Sequence, residues 1–256
     1  MASTFFFHTT PGCDHESNAS PQLDLIELCR NGTATPQQIH DIVKTVPIEE
    51  VRDENGRTPL HLAARSCSDP MMFPLLIEAG SSMNATDSLG RTPLHDAAEF
   101  CNSAQVMKSL VGSGAQIDAK ATGGLTPLTA AVMANQDPQV IAILIEAGAS
   151  VKGRSLAGLT PLHAAARHSS NPVVIDMLID AGAEIDACGS TGRTPLHDAA
   201  ELNENRKILE SILRRGANIN NQTQGGLTPL DLAHGFRDGR VETIRSSGGK
   251  TGSEIP

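Results

Sequence analysis

Gly90-Arg91-Thr92-Pro93-Leu94-His95-Asp96-Ala97-Ala98-Glu99 is a stretch to which the chain returns. Its core, Thr-Pro-Leu, recurs at Thr58, Thr92, Thr126, Thr160, Thr194 and Thr228, each 34 residues after the last. A fixed period of this length implies stacked units, none of which buries its apolar face alone. The chemistry of one period agrees. In Thr160 to Arg193, the Thr160 hydroxyl can cap a helix, and Pro161 suits the first turn, where no amide donor is needed. Leu162, Ala165 and Ala166 form an inner face whose small residues admit the next helix. Asn171-Pro172 repeats the cap-plus-proline device, and Val174, Ile175, Leu178 and Ile179 are spaced for a second, more apolar helix. Gly182 is the left-handed residue expected to close it. Ile185 to Gly192 reads as extended chain ending in a tight turn.

Outward from these units the pattern weakens at both ends. Residues 1–19 are Ser/Thr/His-rich and aperiodic, which predicts a disordered tail, with order beginning at Ser20-Pro21. Two helices follow, the first with Leu23, Ile26 and Leu28, the second from Pro36 to Thr45 with Ile39, Ile42 and Val43. They lack Thr-Pro-Leu-His, as a polar unit shielding the end of a stack should. The predicted organisation is a repeat domain over 20–247 and a flexible C-terminal tail over 248–256. Within the domain lie a cap (20–57), repeats at 58–91, 92–125, 126–159, 160–193 and 194–227, and a closing cap (228–247). Pro74 falls inside a predicted second helix and should distort its first turn. A longer period overlies the first: the ten residues at Gly90 return at Gly192, so a three-repeat block is present twice.

Composition narrows the function classes. Aromatic residues are 2% of the chain, with no Trp and no Tyr, and net charge is -9. Both features argue against nucleic acid, which is held by basic residues and exposed rings. Residues 1–60 carry nine acids against four bases, whereas the chain from Glu201 onward has seven acids and eight bases. No apolar run approaches membrane length, and Phe5–Phe7 is too short for a signal-peptide core. The five cysteines form no close pairs. Cys67 and Cys101 hold one place in adjacent repeats, about 8–10 Å apart if helices stack and so beyond disulfide reach. A reducing, cytoplasmic setting is therefore expected, with Cys29 a buried thiol.

The motif Thr-Pro-Leu-His-x-Ala-Ala, the apolar second helix, the Ala-Gly-Ala end and the Ile-Asp-Ala hairpin resemble ankyrin repeats. The resemblance spans roughly Ser20 to Ser246. It implies an all-α ankyrin-repeat solenoid of stacked helix-turn-helix units with β-hairpin-like loops. Here the repeat has 34 residues rather than the usual 33, and alignment puts the extra one in the turn between helices. Segments such as Arg65-Ser-Cys-Ser-Asp-Pro and His168-Ser-Ser-Asn-Pro re-make that turn with a polar cap and proline.

Candidate chemistry mostly dissolves into the period. His61, His95, His163 and His197 stand one per repeat, about 10 Å apart, too far to share a metal ion. The resemblance implies that they hold neighbouring loops by hydrogen bonds. Gly248-Gly-Lys-Thr-Gly-Ser lacks the first glycine of a phosphate loop, since Ile244 stands there, and no strand precedes it. Asp96 with Glu99, and their copies Asp198 with Glu201, suggest paired carboxylates. Nothing apolar in sequence beside them would split their pKa values for acid/base work. Arg65 and Arg167 sit one repeat before Glu99 and Glu201, so inter-repeat ion pairs Arg65–Glu99 and Arg167–Glu201 are expected.

The remaining signal is outward-facing. If the resemblance holds, the concave face is made of hairpin tips, the residue before each Thr and the end of each first helix. That predicts a protein-binding surface at Arg57, Arg91, Phe100, Leu125, Met133, Leu156, Leu159 and Arg193, an apolar strip with a charged rim. The expected function is a non-catalytic protein-protein interaction module, a scaffold, adaptor or inhibitor, monomeric and without catalytic residues, cofactor or metal. One alternative is a bacterial effector whose tails direct delivery into a host cell. Another, from a different class, is an enzyme or a regulatory fragment of one.

Overall fold

The computed structural model describes residues 21–66, 69–236 and 238–255. Fourteen α-helices and no strands occur among the described residues. They alternate as first and second helices of successive units. The first helices are α1 (Pro21–Asn31), α3 (Pro59–Arg65), α5 (Pro93–Phe100), α7 (Pro127–Ala130), α9 (Pro161–His168), α11 (Pro195–Leu202) and α13 (Pro229–Ala233). The second helices are α2 (Pro36–Val43), α4 (Met72–Glu78), α6 (Ala104–Gly112), α8 (Pro138–Glu146), α10 (Pro172–Asp180), α12 (Arg206–Arg214) and α14 (Arg240–Ser246). First helices stack in order from α1 to α13; α2 packs on α4, and α6, α8, α10, α12 and α14 pack in series.

Each first helix is short because its sequence starts and stops it. Thr58, Thr92, Thr160 and Thr194 are extended caps, and proline fills the first helical position of each. The third helical residue is a histidine whose ring returns to the threonine amide, closing a capping box. Leu60, Leu94, Leu128, Leu162, Leu196 and Leu230 lie wholly inside, with paired alanines such as Ala97 and Ala98 between neighbouring helices. The second helices close this core with Leu76, Leu110, Leu144, Leu178 and Ile212. Left-handed glycines follow them: Gly80, Gly114, Gly148, Gly182 and Gly216 all have positive φ.

Hairpins between units are tied edge to edge by single backbone bonds at a constant offset. Ser88 N donates to Asn55 O (3.0 Å), Thr122 N to Leu89 O (2.9 Å), Leu156 N to Gly123 O (3.0 Å), Ser190 N to Ala157 O (3.1 Å) and Gln224 N to Thr191 O (3.0 Å). Gly192 shows how tight this stacking is. Its φ is +77°, and a Cβ there would lie 2.8 Å from the Gln224 amide.

The inter-helix turn absorbs the extra residue in different ways. In the third repeat α7 runs into a π turn over Ala131–Asn135, closed by Gln136 at φ 58°. Gln136 then reaches the next turn, donating to His168 O (2.9 Å) and accepting from Ser170 N (2.8 Å). Asp137 and Asn171 cap α8 and α10 ahead of proline, as the turn sequences suggest. Pro74 displaces the start of its helix instead of interrupting a formed first turn. Helix α4 starts two residues later than the other second helices, which brings Pro74 into its first turn, where a missing amide costs little.

Three expectations need correction or lie out of reach. Residues 248–255 are not a free tail: Lys250 N bonds Asn220 Oδ1 (2.8 Å), Gly252 N bonds Asp231 Oδ2 (2.7 Å), and Arg245 pairs with Glu254 (2.9 Å). The segment is one more hairpin laid on the last unit, so order runs beyond residue 247. Gly249 and Gly252 meet backbone at close range; a Cβ on Gly252 would lie 2.1 Å from Gly226 O. Cys29 is a buried free thiol, pushed up to about 12 by burial. Cys101 is disulfide-bonded. The expectation of a chain without disulfides is corrected, and with it the cysteine argument for a reducing compartment. The predicted tail over 1–19, the Ser20 cap and Cys67 lie outside the described residues.

Candidate functional site: a charged and apolar face over the central repeats

The four histidines come first because they set the spacing of everything beside them. A backbone N–H can only donate, so Nδ1 of His61, His95, His163 and His197 accepts from the threonine amide (3.1–3.2 Å). Nε2 therefore carries the proton and donates to the carbonyl thirty residues on. These are Arg91 O (2.9 Å), Leu125 O (3.0 Å), Arg193 O (3.1 Å) and Leu227 O (3.1 Å). Each ring ties its own helix start to the next hairpin. The residues before Thr at Arg91, Leu125, Arg193 and Leu227 are thereby fixed.

Two charged clusters result, one from each copy of the three-repeat block. In the second copy Asp198 is wholly buried and receives three bonds: Arg167 Nε at 3.0 Å, Arg167 Nη2 at 3.2 Å and Arg193 Nε at 2.8 Å. Arg193 also pairs with Glu201 at 2.7 Å. In the first copy Asp96 is equally buried but poorly partnered. Arg91 Nη2 lies 3.3 Å and Arg65 Nη1 3.7 Å from Oδ1, while Oδ2 has no hydrogen-bond partner. Arg91 is tightly paired with Glu99. The guanidinium of Arg65 sits 3.5 Å over the centre of the Phe100 ring. Position 202 is Leu, so Arg167 has no ring to rest on at the equivalent place and turns to Asp198.

The expected pairs are therefore corrected. Arg65 and Arg167 do bridge repeats, but to Asp96 and Asp198; Glu99 and Glu201 are held by Arg91 and Arg193 within one hairpin-helix junction. The aspartate lies deeper in the stack than the glutamate three residues on. The idea that nothing separates the carboxylates also fails. Burial, outweighing Arg91, Arg57 and Arg65, pushes the Asp96 carboxyl up to about 6. Helical spacing places Asp96 and Glu99 on one face but does not reveal that the neighbouring unit buries one of them. Arg57, at the N-terminal edge, faces Asp87 through Nε at 4.0 Å, too far for a hydrogen bond.

Between the two clusters the residues before Thr change from Arg to Leu, and the surface becomes apolar. Leu125, Met133 and Leu159 line a cavity of about 270 Å³ together with Thr129, Ala164 and Arg167. Phe100 and Met133 are exposed beside it, whereas Leu156 projects from its hairpin tip at 87% exposure and lines no part of the cavity. Thr129 and Ala164, like Thr122 and Ser155, are lining residues that sequence reading passed over. Thr129 was visible as the one Thr-Pro-Leu unit before the last without a following histidine.

The ankyrin repeats family model, in three copies, matches residues 25–121, 101–187 and 128–223. Among solved structures, the crystal structure of the human ASB11 ankyrin repeat domain superposes with a TM-score of 0.76 at 24% identity, covering 88% of this chain and 98% of that one. A search of curated proteins gives no match. The chain belongs to the ankyrin repeat family, whose repeats are generally non-catalytic protein-protein interaction modules. Among the described residues no helix is long and apolar enough to cross a membrane.

Proposed function

We propose that this chain is a non-catalytic scaffold, adaptor or inhibitor that holds a protein partner on the concave face of its central repeats. The contact residues are Arg57, Arg91, Phe100, Leu125, Met133, Leu156, Leu159 and Arg193. The observation that carries this reading is the apolar cleft of Leu125, Met133 and Leu159 between two arginine-carboxylate clusters. Protein interfaces take this form, an apolar centre where side chains are desolvated and a polar rim. The clusters also supply rigidity, since each arginine that faces outward is already held by a carboxylate behind it. A surface held in place before binding loses little entropy on association. The low aromatic content and the net charge of -9 argue against a nucleic-acid partner.

Affinity capture with the intact chain beside Phe100→Ala/Leu125→Ala/Met133→Ala tests this. These side chains are exposed or half-buried, so the triple variant should keep its thermal midpoint within a few degrees. Each truncation at the centre of an interface removes about 1–2 kcal/mol or more, and together they should abolish recovery of the partner. Equal recovery by both proteins would place the binding surface elsewhere.

A further inference from the structure

One position breaks the bridging series. His61, His95, His163 and His197 each reach the next hairpin, and in the last unit Asp231 substitutes, accepting from Thr228 N (2.9 Å) and Gly252 N (2.7 Å). In the third repeat this residue is Thr129. Its hydroxyl stays within its own turn, 3.0 Å from the Thr126 hydroxyl, and it is half-buried where the four histidines are fully enclosed. The carbonyl that a histidine would have bridged is Leu159 O. Among the described contacts it accepts only the Ser155 amide, at 3.0 Å. The cavity of about 270 Å³ opens here, between Thr129 and Leu159, with Leu125, Met133 and Ala164 as walls and Arg167 at the rim.

We propose that this cavity is an anchor pocket for one indole side chain of the protein partner, its ring N–H donating to the Leu159 carbonyl. The inference rests on the concave-face reading and names the chemistry of the partner. Size favours a single side chain, since pockets for drug-sized ligands run about 300–1,000 Å³. Leu125, Met133, Leu159 and Ala164 give it apolar walls. Thr129, Ser155, Thr160, Arg167 and His168 give it polar edges, and the Leu159 carbonyl lacks the histidine donor that its counterparts have. An aliphatic occupant would cover the carbonyl without giving it a donor, which carries a penalty an indole avoids. The Met133 thioether suits the edge of a ring. The chain contains no Trp and no Tyr. A second copy of this protein therefore cannot supply the indole, and the partner is a different protein.

The absence of Trp also gives a clean assay, because tryptophan fluorescence reports the probe alone. The full chain is titrated with N-acetyltryptophanamide, followed by emission and by amide NMR shifts. Saturable shifts at Thr129, Leu159, Ala164 and Arg167 with blue-shifted emission are expected. An analogue methylated at the indole nitrogen should bind several-fold more weakly. Thr129→His restores the bridge and fills the cavity, so it should weaken the probe at least about tenfold while keeping or raising the thermal midpoint. If that variant misfolds, Ala164→Leu blocks the pocket from the opposite wall and carries the same expectation. Absence of localised shifts in the unmodified chain, or equal probe binding by a folded blocking variant, overturns the pocket. Partner capture separates the two readings. If the Phe100/Leu125/Met133 variant loses the partner while Thr129→His keeps it, the pocket falls and the concave-face reading stands. If both variants keep the partner, both readings fall.

Discussion

Acidification from pH 7 to pH 5 is expected to destabilise this protein, because four buried histidines are neutral by construction. At His61, His95, His163 and His197, Nδ1 already accepts an amide proton and Nε2 already donates to a carbonyl. An imidazolium would turn a proton against the threonine N–H and undo the cap. Burial, the largest influence, holds all four below the ordinary histidine value, although the carbonyl acceptors pull the other way. In the unfolded chain they titrate near 6.5. Below that pH the unfolded state binds protons that the folded state refuses. Stability then falls by up to about 1.4 kcal/mol per pH unit for each histidine, until the folded-state values are reached.

Asp96 works in the opposite sense. Its folded-state value of about 6 lies above the ordinary aspartate value of about 3.9, so between those limits the folded protein holds a proton that the unfolded chain has released. Falling pH therefore stabilises through this one group, by about 3 kcal/mol at most over the window. Four groups against one settle the direction. Urea unfolding at pH 7.5, 6.5 and 5.5 should show a steep loss with acid, and Asp96→Asn should make the loss steeper. A flat profile from pH 7 to pH 5 would mean that the histidines titrate alike in both states, contrary to the buried bridges described here.

How much of this was legible in sequence depends on whether a property belongs to one repeat or to the contact between two. Thr58 to Ala64 specifies its own cap, proline start and apolar stripe, so period, helix pairs and the histidine series could be read directly. The π turn at Ala131–Asn135 and the left-handed Gln136 could not, because they are the solution one turn finds against its neighbour. The same limit explains the misassigned ion pairs. Arg65 to Glu99 is the natural match by repeat position, but Asp96 is the carboxylate the next helix buries beside it. Gly248 to Ser253 looked like a linker by composition; only the acceptor groups of Asn220 and Asp231, supplied by the unit before, make it a hairpin. Leu125, Met133 and Leu159 were visible as outward apolar residues, whereas the cavity joining them depends on what Thr129 fails to fill.

The two charged clusters, nearly identical in sequence, should respond very differently to the same substitution. Asp198→Ala is expected to destabilise by about 3–5 kcal/mol, since it strips a buried carboxylate that accepts three bonds from two arginines and leaves their charges facing one another. Those arginine side chains retain 28% and 18% exposure, so water compensates in part and the lower end of that range applies. Asp96→Ala should cost at least about 2 kcal/mol less, because one oxygen has no partner, the other has one hydrogen bond at 3.3 Å, and burial already penalises the charge. Asp96→Asn should be close to neutral. The difference traces to a single residue. Phe100 engages Arg65 through its ring, whereas Leu202 leaves Arg167 free to grip Asp198 with two nitrogens. Phe100→Leu should therefore release Arg65 toward Asp96 and raise the cost of Asp96→Ala, a coupling that a double-mutant cycle reads directly. Equal losses for Asp96→Ala and Asp198→Ala, with no coupling to Phe100, would contradict this account. Phe100 would then be an exposed ring with no bearing on how the first cluster is held.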